Sequence, residues 1–239
     1  MAAGVVSVCV LLGFRPGAAQ EGGGAGEGIA VDVGRKVVLR KDAPLGVFVF
    51  TSLRFKRGEM SRYFSEATGG YFSKERETLL RAMRGLLHLS LVHDSSLQTI
   101  APDNYERLFP SMEIEAYDAS LREEPEKKFD TAALRKYAEL LKLEYLLVGD
   151  LLRMEEWEIP GEDSRGCRVE IAYFVYDAGR GEMVLRERFD VSDEVPDAGP
   201  PSESLPPKMD ENVFMFGRSA AGYCFLKSGG QLLEKIEAG

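Results

Sequence analysis

The sequence predicts an α/β domain in which helices cover a mixed sheet of about five strands, arranged along the chain in the order β-α-β-α-β-β-β-α. Three patterns predict this class: an amphipathic helix followed at once by an apolar strand, two alternating strands joined by a tight turn, and helices that alternate with strands earlier in the chain. Of the 239 residues 44% are hydrophobic, which is enough to fill one sizeable core. A single folded domain is therefore expected.

The first half of this domain is predicted as strand, helix and strand. Residues 46–55, "GVFVFTSLRF", are rich in β-branched and aromatic side chains and predict a strand, with residues 31–40 as a candidate edge strand before it. Ser73 can cap a helix whose apolar residues recur at helical spacing as far as His88. Residues 96–102 then predict a short second strand that ends at a proline.

The middle of the chain contains the clearest junction between a helix and a strand. Residues 111–128 are charged and irregular, and they predict a solvated connection. Asp130 can cap the next helix, in which the apolar residues from Leu134 to Leu141 fall on one face. Immediately afterwards residues 145–150, "YLLVGD", are apolar at successive positions. Such a strand must be covered on both faces, so it is predicted to lie at the centre of the sheet.

The second half is predicted as a hairpin, a connector and a helix. Residues 155–166 are expected to form a loop, and residues 167–177 and 182–191 alternate on either side of the turn "AGRG", which predicts an antiparallel hairpin. The acidic, proline-rich segment 192–210 predicts an extended connector. The last helix is expected over 216–236. Glycines weaken it by roughly 1 kcal/mol each relative to alanine, so packing against the sheet must hold it.

The N-terminal residues resemble a secretion signal. Residues 4–14 form an apolar run too short to cross a bilayer as a permanent helix, and small residues follow it. Cleavage after Ala19 fits this pattern. Residues 1–19 are therefore predicted to be a signal peptide, residues 20–43 a flexible linker that includes the candidate edge strand, and residues 44–239 the folded domain. A periplasmic location is expected from this reading.

One departure from the usual signal pattern leaves an alternative open. The first basic residue, Arg15, follows the apolar run, whereas signal peptides carry basic residues before it. A true start upstream of Met1 would supply them, and a disordered or membrane-tethering N-terminus is the alternative. Cys9 follows Val8, which is not a small residue, so a lipid anchor is not predicted.

Composition and motifs argue against several functional classes. The 39 acidic and 30 basic side chains give a net charge of −9 and form no basic stripe, so no nucleic-acid partner is expected. The only histidines, His88 and His93, do not share a helix face, and no CxxC or Cys/His grouping is present, so no metal site is predicted. The sequence has no nucleophile elbow and no P-loop. We therefore expect no enzyme, no catalytic residues and no cofactor.

Two pairs of residues are candidates for a structural or functional role. Gly149 and Asp150 follow the central strand and could line a crevice at its carboxyl end, where α/β sheets bind ligands. A close packing contact at the glycine and a hydrogen-bonded aspartate are the other interpretation. Cys167 and Cys224 can form a disulfide in an oxidising compartment or remain small apolar residues in a reducing one.

Three aromatic residues are candidates for binding a partner. Trp157 lies in the predicted loop, where it can be exposed as an interface anchor or fold back onto the sheet. Phe214 and Phe216 follow the proline-rich connector. They can either hold the last helix in place or dock a partner.

Three stretches of the sequence together resemble one known family. They are "YAELLKLEYLLVGDL", residues 137–151, "VEIAYFVYDAGRGEMVLRERF", residues 169–189, and "SLQTIAPDNYERL", residues 96–108. The first resembles the junction between a helix and a central strand in the CsgG-like periplasmic family, which includes the TolB N-terminal domain and the penicillin-binding-protein activator LpoB. The second is similar to that family's hairpin, and the third resembles its second strand and the helix after it. The likeness covers residues 44–237 in the order of elements.

This resemblance implies a non-enzymatic accessory protein of the bacterial cell envelope that binds another envelope protein in assembly, secretion or cell-wall synthesis. Peripheral association with the outer membrane and homo-oligomerisation stay open. One alternative is a subunit of an oligomeric outer-membrane secretion pore, which would need a long amphipathic hairpin between the first strand and the first helix, where residues 56–71 show no such alternation. The other alternative is a secreted domain that binds or hydrolyses a small ligand near Asp150.

Overall fold

The structure, a computed structural model, describes residues 36–55, 72–197, 199–200 and 209–239, and these residues contain five α-helices and seven β-strands. They are β1 (Val37–Leu39), β2 (Leu45–Thr51), α1 (Phe72–Asp94), β3 (Thr99–Ile100), α2 (Phe109–Ala116), α3 (Thr131–Leu141), β4 (Tyr145–Glu158), β5 (Ser164–Asp177), β6 (Glu182–Pro196), α4 (Glu211–Gly217), α5 (Ala220–Leu233) and β7 (Ile236–Ala238). The predicted signal peptide, most of the predicted linker and the segment considered for a pore hairpin lie outside the described residues.

Five of the strands form one mixed sheet in the order β3-β2-β4-β5-β6. Helices connect the parallel strands, β2 with its neighbours β3 and β4, whereas β4, β5 and β6 follow one another through short turns and pair antiparallel. In the central pair Leu45 lies opposite Tyr145 and Thr51 lies opposite Leu151. The predicted α/β class, a mixed sheet of five strands covered by helices, is confirmed.

Helices cover both faces of this sheet. α1, α4 and α5 pack on one face, and α2 and α3 pack on the other. The predicted central strand lies between these layers, because Leu147 points into the first core and Leu146 and Val148 point into the second, all with no exposed surface. Asp130 caps α3 as predicted, since its carboxylate accepts the backbone N–H of Ala132 at 2.8 Å.

The antiparallel strands extend beyond the part of the sheet that α2 and α3 cover. β2 pairs with β4 only as far as Leu151, whereas β4 continues to Glu158. The segment 155–166, predicted as a loop, is therefore mostly strand, and the connector predicted for 192–210 begins later because β6 continues to Pro196. In this extension one face packs against α5 while the other carries charged side chains. Because charged residues are so frequent here, the sequence resembles that of a loop.

Three helices also differ from the sequence prediction. α1 continues beyond His88 to Asp94. α2 occupies the first residues of the segment that was expected to be irregular, 111–128. The last helix, predicted over 216–236, is shorter and extends from Ala220 to Leu233 as α5, while α4 precedes it as a separate helix. The hydroxyl of Ser219 accepts the backbone N–H of Gly222 at 2.9 Å and caps α5 at its start. Among the described residues, none of the helices combines the length and apolar character needed to cross a bilayer.

A second, two-stranded sheet joins the two ends of the described chain. β1 lies within the candidate edge strand, residues 31–40, but it pairs with β7 instead of with the main sheet. The pairing is parallel, with Val37 opposite Ile236 and Leu39 opposite Ala238. β7 has no counterpart in the sequence prediction, since three residues are too few to show an alternating pattern.

Candidate functional site

An open groove of about 620 Å³ lies beside the carboxyl end of β2. One wall is the segment that follows β2, Leu53–Phe55, and the other wall is the loop of residues 118–128, which we call the wall loop. The floor is formed by β4, β5 and β6 just past the part of the sheet that α2 and α3 cover. The lining includes Arg54, Arg122, Glu123, Leu152, Arg153, Glu155, Glu170 and Arg188.

The wall loop is closed at its neck by backbone hydrogen bonds. Tyr117 and Phe129 form an isolated antiparallel bridge, and the backbone N–H of Asp118 donates to the carbonyl of Lys128 at 2.9 Å. Successive tight turns, ending in the 3₁₀ turn Pro125–Lys127, fill the loop. The loop is therefore a compact structure of its own, which presents Arg122 and other polar side chains to the groove.

A buried ion pair ties the neck of the wall loop to β4. Lys128 Nζ lies 2.7 Å from Asp150 Oδ2, and neither side chain has any exposed surface. The Tyr117 hydroxyl donates to Asp150 Oδ1 at 2.8 Å. Burial raises the pKa of Asp150 although Lys128 and Tyr117 partly oppose the change, and burial also raises the pKa of Tyr117. Both carboxylate oxygens of Asp150 are thus engaged within the core.

This burial corrects the predicted crevice at Gly149 and Asp150. Neither residue reaches the groove, whose lining begins at Leu152 on the same strand. At Gly149 an added Cβ would lie 3.1 Å from Ile171 Cδ1, so the glycine permits close packing between β4 and β5. The alternative interpretation, a packing glycine with a hydrogen-bonded aspartate, describes both positions.

Side chains of the three long strands form a charged face that continues from the groove floor. We use "charged face" for the uncovered side chains of Arg153, Glu155, Trp157, Arg168, Glu170, Arg188 and Asp190. Arg168 Nε lies 2.8 Å from Asp190 Oδ1, and this hydrogen bond lowers the pKa of Asp190. Arg188 pairs with Glu170. These cross-strand pairs hold the charges in a regular pattern on the surface of the sheet.

Two arginines on the groove walls differ from those on its floor. Arg153 pairs with Glu155 at 2.9 Å, as Arg188 does with Glu170. Arg54 and Arg122 are exposed and make no ion pair within the described ranges. Both residues line the same groove, one from each of the two wall segments.

Trp157 lies at the far end of the charged face. It belongs to β4, opposite Gly166 on β5, and its indole ring covers that glycine so closely that any side chain at 166 would overlap with it. The residue nevertheless remains 47% exposed. Trp157 therefore combines the two roles considered for it, since one side of the ring packs on the sheet and the other faces solvent.

The two phenylalanines after the connector have different environments. Phe216 is fully buried and packs against Phe225 at a ring-centroid distance of 6.0 Å, so it holds α4 against α5 and is not available to a partner. Phe214 is 40% exposed, with the Arg218 guanidinium 5.7 Å from the centre of its ring. Only Phe214 of this pair remains on the surface.

Cys167 and Cys224 form a disulfide that joins β5 to α5, with their Cα atoms 6.6 Å apart. Both residues are buried in the core beneath α5, on the side of the sheet opposite the charged face. The bond therefore joins the extended part of the sheet to α5 on the face opposite the charged face.

The chemistry available in the groove is that of charge and hydrogen bonding. Within the described ranges no cluster of His, Cys, Asp or Glu side chains is arranged to hold a metal ion. The groove residues come from three separate segments, around 54, 122 and 153–188. These residues could not be predicted as a site from the sequence, because an isolated surface arginine carries no local signal and only folding brings these segments together.

No protein-family model matches the sequence, and no curated protein matches it. Solved structures that align with the chain include the PelC dodecamer from Paraburkholderia phytofirmans, with 11% identity, 85% of this chain and 94% of that chain covered, and a TM-score of 0.41. Lipoprotein GNA1162 from Neisseria meningitidis aligns with 9% identity, coverage of 67% and 88%, and a TM-score of 0.41. The LpoB C-terminal domain from Salmonella enterica aligns with 9% identity, coverage of 64% and 84%, and a TM-score of 0.31.

Proposed function

We propose that this chain is a non-enzymatic accessory protein of the bacterial cell envelope, related to the CsgG-like family, which binds another envelope protein. The observation that carries the proposal is the charged face, a surface of paired charges with a half-exposed tryptophan at one end and the groove at the other. Tryptophan and arginine are among the residue types most enriched at the energetic centres of protein interfaces.

The location in the periplasm is part of this proposal. The N-terminal pattern of a signal peptide supports it, and the disulfide between Cys167 and Cys224 fits an oxidising compartment. A role in assembly, secretion or cell-wall synthesis follows from the family resemblance of the central strand and hairpin. Peripheral association with the outer membrane and self-association are compatible with it.

The same geometry makes a hydrolytic or small-ligand site near Asp150 the weaker proposal. Both oxygens of that carboxylate are engaged by Lys128 and Tyr117, and the side chain has no exposed surface, so a substrate cannot reach it in this conformation. The groove itself is open and lined by charged side chains, whereas small-molecule sites are mostly concave and apolar.

Site-specific photo-crosslinking in cells tests the proposed function. A photoreactive phenylalanine analogue replaces Trp157 in one variant and Ile114 in a matched control, since Ile114 is 84% exposed on α2 and lies off the charged face. We expect position 157 to form a crosslink to one defined envelope protein and position 114 to form none. Equal labelling at both positions, or recovery of the whole chain in the cytosolic fraction, would contradict the proposal.

A further inference from the structure

We propose that the groove binds an extended acidic segment of the partner protein, whose carboxylates pair with Arg54 and Arg122 on the two walls. This inference rests on the proposed function and adds the chemistry of the segment that the partner presents. The charged face supplies the surrounding contact area, and the two wall arginines supply the positive charge that selects an acidic segment.

The two wall arginines are available to a ligand. The floor arginines are already neutralised, Arg153 by Glu155 and Arg188 by Glu170. Arg54 and Arg122 have no acidic partner among the described residues, and both line the groove. A guanidinium offers a planar pair of N–H donors that matches a carboxylate, so each wall can accept one acidic side chain.

The charges that line the groove favour one kind of anion. The lining contains three carboxylates, Glu123, Glu155 and Glu170, beside its four arginines. A compact, multiply charged phosphate would lie close to these carboxylates and be repelled. A peptide of mixed character avoids the conflict, because its acidic side chains can reach the walls while neutral or basic side chains lie over the floor.

The shape of the groove suits an extended segment. The groove is open to solvent, its walls come from two separate segments, and its floor consists of neighbouring strands. An extended segment can therefore lie over the strands between the two walls. The wall that carries Arg122 is anchored at its neck by the Lys128–Asp150 ion pair, so this wall is in place before the segment binds.

A binding experiment on the full chain tests this inference. Fluorescence anisotropy is measured with a labelled peptide of alternating glutamate and serine, and with a matched peptide of alternating lysine and serine, at low and high salt. We expect the acidic peptide to bind, and the double variant Arg54→Glu with Arg122→Glu to weaken its binding by tenfold or more. The matched control is Arg107→Glu with Lys41→Glu, because both residues are exposed outside the groove and the change in net charge is the same.

Three results would overturn the inference. One is equal binding of the acidic and basic peptides, another is an equal loss of binding in the groove variant and in the control variant, and the third is inorganic triphosphate displacing the peptide as well as free acidic peptide does. Circular dichroism shows whether each variant is folded. Crosslinking from position 157 separates this inference from the proposed function: a crosslink that persists in the groove variant contradicts only the acidic segment, whereas no crosslink in any variant contradicts the partner itself.

Discussion

Asp150 shows how a single buried residue can organise a surface some distance away. An unpaired carboxylate in the core would be costly, and Lys128 and Tyr117 remove that cost by occupying both of its oxygens. These two partners stand at opposite ends of the neck of the wall loop. One strand residue thereby holds both ends of the loop, and the position of the groove wall depends on it.

We expect removal of either partner of this ion pair to destabilise the fold strongly. Asp150→Asn and Lys128→Met should each lower the free energy of unfolding by about 3–5 kcal/mol, because each leaves an uncompensated polar or charged group in the core. The triple variant Asp150→Leu, Lys128→Met and Tyr117→Phe should recover much of this loss, since all three polar groups are then absent. Urea denaturation measures the difference, and a triple variant less stable than either single variant would contradict the argument.

Buried tyrosines make the fold sensitive to alkali. Burial raises the pKa of Tyr105, Tyr117 and Tyr173, so above the unfolded value of about 10 the folded state binds more protons than the unfolded state. The free energy of unfolding should therefore be fully retained below pH of about 10 and fall as the pH rises beyond it. Absorbance titration of phenolate, followed together with circular dichroism, checks this: these three tyrosines should ionise only as the protein unfolds.

Side chains form hydrogen bonds with the backbone of β2 beyond the point where β3 ends. β3 pairs with only Leu45 and Gly46 of β2. Beyond them the Tyr105 hydroxyl accepts the Val47 N–H and donates to the Val47 carbonyl, both at 2.8 Å. Arg76 Nη2 then donates to the carbonyl of Thr51 at 2.9 Å. At Val47 and Thr51 the backbone of β2 is therefore satisfied by side chains from outside the sheet instead of by a neighbouring strand.

Two glycines in α5 are expected to respond in opposite ways to the same substitution. A Cβ at Gly222 would overlap with the carbonyl oxygen of Phe216, whereas a Cβ at Gly230 meets nothing within 4 Å. Gly222→Ala should therefore destabilise the protein by separating α5 from α4. Gly230→Ala should stabilise it by up to about 1 kcal/mol, the helix-propensity difference. Thermal unfolding of both variants measures the effect, and equal shifts would contradict the close contact.

Elements with one strong periodicity could be predicted from the sequence, whereas the candidate site could not. The α3–β4 junction is clear because Leu134 and its neighbours share one face and residues 145–148 are apolar throughout. The extension around Trp157 looked like a loop, because one of its faces is uncovered and carries charges. Arg54 and Arg122 are 68 positions apart in sequence, and nothing near either residue indicates that they line one groove.

At the scale of the whole molecule, the disulfide is a long-range bond that fastens the last long helix to the extended part of the sheet. Cys167 and Cys224 are separated by 57 positions. Nearby, the Glu156 carboxylate of β4 accepts the backbone N–H of Ala221 at 2.6 Å, at the start of the same helix. The charged face therefore has a rigid support on the opposite side of the sheet.

Loss of the disulfide should lower the stability of the whole domain. For a closed loop of 57 positions the chain-entropy model gives about 4 kcal/mol, and Cys167→Ala with Cys224→Ala should approach that loss in urea denaturation. Wild-type protein unfolded in the presence of a reductant should behave like the double variant. Wild-type protein whose stability does not change on reduction would contradict a structural role for the bond.

The small parallel sheet of β1 and β7 determines how the domain would respond to mechanical load. Its strands run in the same direction, and the Val37 N–H donates to the carbonyl of Lys235 while the Gly239 N–H donates to the carbonyl of Leu39. A pull on the chain before Val37 against a hold at Gly239 therefore acts along both strands in opposite directions. The hydrogen bonds are then loaded in shear and must break together, so a force transmitted between the two ends meets resistance here before it reaches the main sheet.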